Sequence, residues 1–177
     1  MLIALSRNVQ LGHMSIKDGR WDRAKLVGNE LRGKILGVVG LGRIGREVIK
    51  RARSFEMRIL GFDPYVNKEL FDEEVIKVVD LDTLSKESDY ITLHVPLNKG
   101  TKDLFDTKRL SMMKSTARII NVARGGIINE QDLYEVMKTG HLGGSGIDVF
   151  EQEPYKGNLR KIERCLLTAH MGSMSID

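Results

Sequence analysis

The chain has 177 residues, of which 41% are hydrophobic and 29% are charged, so it can form one domain with a substantial core. Its 28 basic and 24 acidic residues are interspersed, and the net charge of +4 therefore indicates a mixed-charge surface, without a nucleic-acid partner. No apolar run is long enough to cross a membrane, and we recognise no signal peptide. The single cysteine, Cys165, cannot form an internal disulfide, which is typical of a cytoplasmic protein.

The first 33 residues predict a helix followed by a loop. Residues 1–10 have the pattern of an amphipathic helix, whereas residues 12–23 indicate a loop that wraps over the surface. We expect residues 1–33 to form this helix and loop, and residues 34–177 to form one further domain. A fold that opens with an isolated helix and stops just after a strand is expected to be truncated at both ends.

From residue 34 onward, short apolar runs alternate with longer amphipathic stretches. The runs predict strands at 34–40, 58–63, 89–95, 117–123, 143–150 and 164–170, and the stretches predict helices at 43–56, 81–88, 101–114 and 129–139. Near-continuous apolar strands separated by helices are typical of a parallel sheet that is covered on both faces. The sequence therefore predicts a doubly wound parallel sheet of the α/β class.

A G-x-G-x-x-G motif directly follows the first predicted strand and opens the next helix. In such a motif, Gly40 makes the tight turn, Gly42 lets a pyrophosphate approach the backbone, and Gly45 lets helix and strand pack closely. The backbone N–H groups of Arg43 and Ile44 are expected to bind the phosphates, with help from the helix dipole. This context favours a Rossmann-type dinucleotide-binding loop over a generic glycine turn.

Asp63 ends the second predicted strand, eighteen residues after Gly45. A carboxylate at this place accepts hydrogen bonds from the adenosine ribose and repels a 2′-phosphate. Pro64 and Tyr65, which follow, provide no cation for that phosphate. We therefore predict NAD as the cofactor, and not NADP; the alternative is a solvated aspartate at a strand end.

Arg124, Glu153 and His170 each follow or end a predicted strand, where open α/β folds place their ligands. Two glycines follow Arg124, whose guanidinium can bind a carboxylate through two hydrogen bonds. His170 is a natural proton donor and acceptor near neutral pH, and a carboxylate such as Glu153 would fix its tautomer. The residue types alone leave open that all three are ordinary surface residues.

Five ordered segments together resemble the D-isomer-specific 2-hydroxyacid dehydrogenases, which include phosphoglycerate, lactate, glycerate and formate dehydrogenases. The segments are LRGKILGVVGLGRIGREV, HVPLNKGTKDLFD, NVARGGIINEQDL, GIDVFEQEP and LLTAHMGS, and the resemblance covers nearly the whole chain. It implies an NAD-dependent oxidoreductase that interconverts a D-2-hydroxyacid and its 2-keto acid by hydride transfer, with D-3-phosphoglycerate as the default substrate. It also implies a homodimer through this domain, and a substrate domain of roughly a hundred residues outside this chain.

The resemblance assigns roles to individual residues. Arg124 would hold the substrate carboxylate and polarise the reacting carbonyl, and Glu153 would pair with His170. His170 would exchange the alcohol proton. The resemblance also implies cofactor-binding residues besides the glycine loop and Asp63. Asp148 would bind the nicotinamide carboxamide, and Pro96 and Thr101 would lie on the adenosine side. The residues expected near the nicotinamide are Val122, Ala123, Arg124, His170 and Gly172. His94 is expected to shape the cofactor pocket and not to catalyse.

Some residues depart from the family pattern. Ala169 stands where the family has proline, which predicts a less rigid loop before His170. The span from Glu153 to His170 is short for the family, and Glu153 itself argues against a formate dehydrogenase.

A second function stays open, namely an NAD(H)-sensing regulatory or corepressor-like binding module. The presence of Arg124, Glu153 and His170 favours the enzyme.

Overall fold

The computed structural model describes residues 1–67, 69, 71–72, 74–174 and 176. Its strands are β1 (Ile35–Val39), β2 (Arg58–Phe62), β3 (Lys77–Val78), β4 (Tyr90–Leu93), β5 (Arg118–Asn121), β6 (Gly144–Ile147) and β7 (Cys165–Leu167). Its helices are α1 (Leu2–Ser6), α2 (Val9–Lys17), α3 (Arg43–Arg53), α4 (Leu81–Glu87), α5 (Thr107–Met112) and α6 (Glu130–Lys138). Within these residues, no helix is long and apolar enough to cross a membrane.

The strands form one parallel sheet in the order β3-β2-β1-β4-β5-β6-β7. The chain runs outward from β1 to β3, returns to the centre, and then runs outward from β4 to β7. The strand order therefore reverses between β1 and β4, where open α/β sheets bind ligands at the carboxyl ends of their strands. The predicted doubly wound, Rossmann-type fold is confirmed.

The core lies on both faces of this sheet. Neighbouring residues of β1 divide between two apolar clusters, with Leu36 and Val38 in one and Val39 in the other. All three are 0% exposed, and each buried apolar side chain contributes about 1.5–3 kcal/mol to folding. Burial on both faces explains why the strands are nearly continuous apolar runs in the sequence.

The N-terminal segment differs from its prediction. The predicted single helix at 1–10 is interrupted, because Asn8 has φ 52 in the left-handed region, which asparagine tolerates better than most residues. The predicted loop at 12–23 is wrong in its first part, where α2 continues to Lys17. Gly12 in the middle of α2 weakened the helical pattern in the sequence.

Helix α1 packs directly against β6. Leu5 is 2% exposed, and two glycines in β6, Gly144 and Gly146, leave room for it. A Cβ atom on Gly146 would lie 3.1 Å from Leu5 and 3.3 Å from Met1. The two glycines weaken the strand pattern of β6 in the sequence, but they allow α1 to pack closely against this strand.

Helix α5 is shorter than predicted. It begins at Thr107, where the Asp106 side chain accepts a hydrogen bond from the backbone N–H of Arg109 at 2.9 Å and caps the helix. The preceding residues form turns, and Asp103 has a positive φ of 51. Strand β3 was not predicted, because two residues are too few to show a period of two.

Candidate active site

The three glycines of the loop between β1 and α3 each have a distinct geometry. Gly40 has φ +97, which only glycine adopts without strain, and a Cβ on Gly45 would lie 2.1 Å from the carbonyl oxygen of Gly40. A Cβ on Gly42 would meet no atom within 4 Å. The first and third glycines therefore serve the fold, whereas the second leaves the surface open for a bound group.

The first turn of α3 offers free hydrogen-bond donors. In the described part of the chain, no residue accepts a hydrogen bond from the backbone N–H of Arg43, Ile44 or Gly45. The side chains of Arg43 and Ile44 point away from the core, and Ile44 is 69% exposed. Free N–H groups at the positive end of a helix dipole fit a pyrophosphate.

Asp63 follows β2 and ties the glycine loop to that strand. One carboxylate oxygen accepts from the backbone N–H of Leu41 at 2.9 Å, and the other accepts from that of Tyr65 at 3.0 Å. Each oxygen keeps further acceptor capacity for ribose hydroxyls. Among the described residues, no Lys or Arg nitrogen lies within 4.0 Å of it. The loop, the helix terminus and Asp63 thus fit an NAD molecule.

The predicted adenosine-side residues Pro96 and Thr101 contact each other. The Thr101 hydroxyl donates to the Pro96 carbonyl oxygen at 2.6 Å and accepts from the Asn98 N–H at 2.8 Å. The hydroxyl of Thr101 therefore holds this loop together. The loop begins just after β4, next to the glycine loop, since the backbone of His94 would contact a Cβ on Gly40 at 2.5 Å.

The surroundings of His94 indicate a structural role for this residue. Its Nε2 lies 3.0 Å from the Thr92 hydroxyl, and burial lowers the pKa of His94 to about 4. The ring is therefore neutral at physiological pH. This supports the interpretation that His94 shapes the pocket and does not exchange protons.

Asn121, at the end of β5, holds the turn that carries Arg124. Asn121 is 2% exposed; its side-chain oxygen accepts from the N–H of Ala123 at 3.1 Å, and its amide donates to the carbonyl of Arg124 at 2.8 Å. The turn so fixed contains Val122 and Ala123, which were predicted near the nicotinamide. Asn121 was not among the predicted site residues, although it is the first residue of the segment NVARGGIINEQDL.

The loop after β5 packs directly against the loop after β6. A Cβ on Gly125 would lie 2.0 Å from the carbonyl oxygen of Phe150. Only glycine permits this approach of two backbones. It brings Arg124 next to the segment that ends at Glu153.

Asp148 organises the turn that carries His170. Asp148 is 1% exposed, and its carboxylate accepts from the Thr168 hydroxyl and from the N–H groups of Met171 at 3.0 Å and Gly172 at 2.8 Å. Its carbonyl oxygen accepts from the N–H of His170 at 2.8 Å. Burial alone would raise the pKa of Asp148, but these hydrogen bonds hold that pKa below its ordinary value.

His170 and Glu153 form a hydrogen-bonded pair, with 2.9 Å between Nδ1 and Oε2. The other oxygen of Glu153 accepts from the Phe150 N–H at 3.1 Å. The hydrogen bonds from His170 and Phe150 lower the pKa of Glu153, so this carboxylate is charged at neutral pH. His170 has φ 51, a left-handed conformation that only a well-held turn maintains in a non-glycine residue.

All three predicted catalytic residues line one cavity of about 450 Å³, namely Arg124, Glu153 and His170. Lys102, which our sequence analysis did not single out, lines it as well. The Arg124 side chain is exposed and donates to the carbonyl of Ala123 at 2.6 Å. The cavity thus combines two cations with a hydrogen-bonded histidine–glutamate pair.

The short span between Glu153 and His170 forms the wall of a second cavity of about 690 Å³. Phe150, which also lines this cavity, stacks its ring on that of Tyr155, with the centroids 4.1 Å apart. The two cavities share the His170–Glu153 pair. The pair therefore lies between two cavities, of which the one with Arg124 also contains Lys102 and the other is lined by the stacked rings of Phe150 and Tyr155.

Comparisons with known proteins identify the family of this chain. A family model described as "D-isomer specific 2-hydroxyacid dehydrogenase, NAD binding domain" matches residues 1–172. The D-3-phosphoglycerate dehydrogenase of Methanocaldococcus jannaschii is 44% identical over 98% of this chain and 33% of that protein. The hydroxypyruvate reductase of Thermotoga maritima is 39% identical over 100% of this chain and 58% of that protein.

A solved structure is similar over the same length. The D-lactate dehydrogenase of Aquifex aeolicus, in complex with NAD and lactic acid, superposes with a TM-score of 0.88 at 28% identity, over 99% of this chain and 58% of that one. The chain spans 33% of the length of the phosphoglycerate dehydrogenase that it matches. The match of the family model over residues 1–172 shows that the chain belongs to the NAD-binding domains of the D-isomer-specific 2-hydroxyacid dehydrogenases.

Proposed function

We propose that this chain is the coenzyme-binding part of an NAD-dependent oxidoreductase that interconverts a D-2-hydroxyacid and its 2-keto acid. The observation that carries this proposal is the His170–Glu153 pair, which shares a cavity with Arg124 at the carboxyl edge of the sheet. The glycine loop lies at the same edge, at the reversal of strand order.

The cofactor would be held by groups already placed for it. The N–H groups of Arg43, Ile44 and Gly45 would bind the pyrophosphate, and Asp63 would bind the adenosine ribose. The carboxylate of Asp63, with no cation beside it among the described residues, favours NAD over NADP. Bound NAD would supply the hydride acceptor for oxidation of the substrate. Pro96, Thr101, Val122, Ala123, Asp148 and Gly172 are proposed to complete its binding site.

His170 is proposed to move the proton. Because Nδ1 faces the charged carboxylate of Glu153, Nδ1 carries the hydrogen and Nε2 has a free lone pair. In the oxidation, the hydroxyl O–H bond breaks and its proton passes to Nε2, while the hydride leaves carbon and a C=O bond forms. Glu153 stabilises the imidazolium that results.

Arg124 is proposed to bind the substrate carboxylate. Its exposed guanidinium can form two parallel hydrogen bonds with a carboxylate and place the hydroxyl carbon next to His170. Lys102 supplies a second cation in the same cavity. Together with the similarity to a phosphoglycerate dehydrogenase, this favours D-3-phosphoglycerate as the default substrate.

We propose a homodimer through this domain, located in the cytoplasm. Several large apolar side chains from the end of α2 to the start of β1 are exposed, namely Ile16 at 57%, Trp21 at 81% and Val27 at 79%. We propose that they contribute to the contact between the two copies. We further propose residues 1–33, which contain α1, α2 and the stretch that follows them, as a segment that flanks the domain formed by 34–177.

The alternative function, an NAD(H)-sensing binding module, is not favoured by any observation on the described residues. A test separates the two functions. The chain is mixed with NAD and a panel of D-2-hydroxyacids, with L-isomers as controls, and formation of NADH is followed by absorbance. We expect slow reduction of NAD by at least one D-isomer and none in His170→Gln. NADH formation that His170→Gln retains at the parent rate would contradict the proposed reaction, and NADH binding without turnover of any acid, even when the chain is joined to a substrate domain, would support the sensor.

A further inference from the structure

A second polar cavity lies at the opposite edge of the sheet from the candidate active site. This distal cavity, of about 360 Å³, is formed where β1, β4, β5 and β7 begin, and Lys34, Tyr90, Arg118 and Arg164 line it. None of these residues has a role in the proposed reaction. The cavity is separated from the glycine loop by the length of the strands.

The guanidinium of Arg118 is buried beside this cavity without an anionic partner. Arg118 is 8% exposed, and its guanidinium carbon lies 5.5 Å from the centroid of the Tyr90 ring. Its acceptors are neutral: the carbonyl of Thr116 at 3.3 Å and, with the Asn29 amide turned so that its oxygen faces the guanidinium, that oxygen at 3.1 and 3.2 Å. In the described part of the chain, no carboxylate lies within 4.0 Å of it. A buried charge is costly unless an opposite charge compensates it.

The other charged residues around the distal cavity increase this positive charge. Lys34 and Arg164 are half-buried, and neither forms an ion pair with a described carboxylate. Asp89 also lines the cavity, but Lys114 contacts its carboxylate at 2.8 Å and the Ile35 N–H donates to it at 2.8 Å. Lys114 thus matches the charge of Asp89, which Lys34 also influences. Arg164 donates to the carbonyls of Leu142 at 3.0 Å and Met137 at 3.4 Å, which are neutral acceptors. Positive charge around the distal cavity therefore still exceeds negative charge.

A buried hydroxyl next to Arg118 is an independent observation. Tyr90 is 1% exposed, and its hydroxyl has no hydrogen-bond partner among the described residues. Burial raises the pKa of Tyr90, so the hydroxyl keeps its proton. Buried polar groups without a partner are rare and indicate a missing water or ion.

We propose that the distal cavity binds a small oxyanion, a phosphate or a carboxylate, through Arg118, Arg164 and Lys34. The planar donor fork of arginine matches both groups in two parallel hydrogen bonds. The anion would neutralise the buried guanidinium of Arg118. This site is independent of the coenzyme and of the proposed reaction.

The experiment is a titration of the ¹⁵N-labelled chain with inorganic phosphate, and separately with acetate, at constant ionic strength and with NADH present to fill the coenzyme site. We expect saturable shifts of the amide signals of Thr116, Arg118 and Arg164. In Arg164→Ala the affinity should fall about ten-fold, as expected for the loss of a charge-assisted hydrogen bond. Lys86→Ala removes an exposed charge elsewhere and should bind like the unmodified chain.

The two titrations also identify the anion. Saturation by phosphate alone would assign the site to phosphates, and saturation by both anions would assign it to oxyanions in general. The proposal is overturned if neither anion shifts these signals, if the shifts occur only at Gly42 and Gly45, or if Arg164→Ala binds like Lys86→Ala. Binding of NADH by each variant confirms that the variant is folded.

Discussion

Nδ1 of His170 lies 2.9 Å from Oε2 of Glu153, although seventeen residues separate the two along the chain. Glu153 is fixed by the N–H of Phe150, and His170 is fixed by the carbonyl of Asp148. Both members of the pair are thus held by the loop that follows β6. This arrangement sets the tautomer of the ring and leaves Nε2 available to the substrate.

Replacement of Glu153 by glutamine keeps the size of the side chain and removes its charge. We expect kcat for oxidation of the D-2-hydroxyacid to fall by about 10²-fold, the lower range for a general acid–base contribution. The affinity for NADH should stay unchanged, since Glu153 is not proposed to bind it. Glu163→Gln, an exposed position on the same span, is the matched control. Equal kcat in Glu153→Gln and Glu163→Gln would refute the role of the pair.

Replacement of Asp148 by asparagine should destabilise the fold. The new amide has one acceptor oxygen, whereas the N–H groups of Met171 and Gly172 donate to different oxygens of the carboxylate, so at least one of these part-buried hydrogen bonds is lost. Such a loss costs about 1–3 kcal/mol of the free energy of unfolding. Denaturant unfolding of the two proteins measures the difference, and an unchanged midpoint would contradict the assignment.

The stability of the protein should fall at acid pH partly because of Asp148. The pKa of Asp148 in the folded state lies below its ordinary value of 3.8. The carboxylate therefore stabilises the fold fully above that value, and this contribution is lost as the pH falls through the folded pKa. Thermal unfolding from neutral pH downward should show the difference between the parent and Asp148→Asn shrinking below about pH 3.8. A stability difference between the two proteins that grows at acid pH would contradict the stabilising role of the Asp148 carboxylate.

Replacement by alanine should lower the stability of the protein at Gly45 and its affinity for NADH at Gly42. In Gly45→Ala the new Cβ would lie 2.1 Å from the Gly40 carbonyl, so we expect a loss of about 3 kcal/mol or more in stability. In Gly42→Ala nothing lies within 4 Å of the Cβ, so stability should change by less than about 0.5 kcal/mol. NADH affinity should nevertheless fall about ten-fold or more in Gly42→Ala, because the methyl group keeps the pyrophosphate from the backbone. Thermal unfolding measures the change in stability, and calorimetric titration measures the affinity for NADH. Normal NADH affinity in Gly42→Ala would contradict the proposed phosphate site.

The sheet could be predicted because its signals are local, whereas the pairing of His170 with Glu153 was implied by the family resemblance. Apolar runs mark the strands, and parallel strands bring the residues at their carboxyl ends to one edge. The role of Asp148 in the His170 turn could not be predicted, since its partners lie twenty or more residues away in the chain. The break at Asn8 depends on one left-handed residue, which leaves no periodic pattern. The distal cavity depends on tertiary packing alone.

Calorimetric titration of the chain with NADH, and separately with NADPH, tests most directly whether this chain is an NAD-binding unit. The same titrations are repeated on Asp63→Asn. Asparagine keeps one acceptor oxygen for the Leu41 N–H but removes the charge that repels a 2′-phosphate. We expect clear NADH binding, weaker NADPH binding, and loss of this preference in the variant. A folded chain that binds neither nucleotide would contradict the assignment of this chain as an NAD-binding unit.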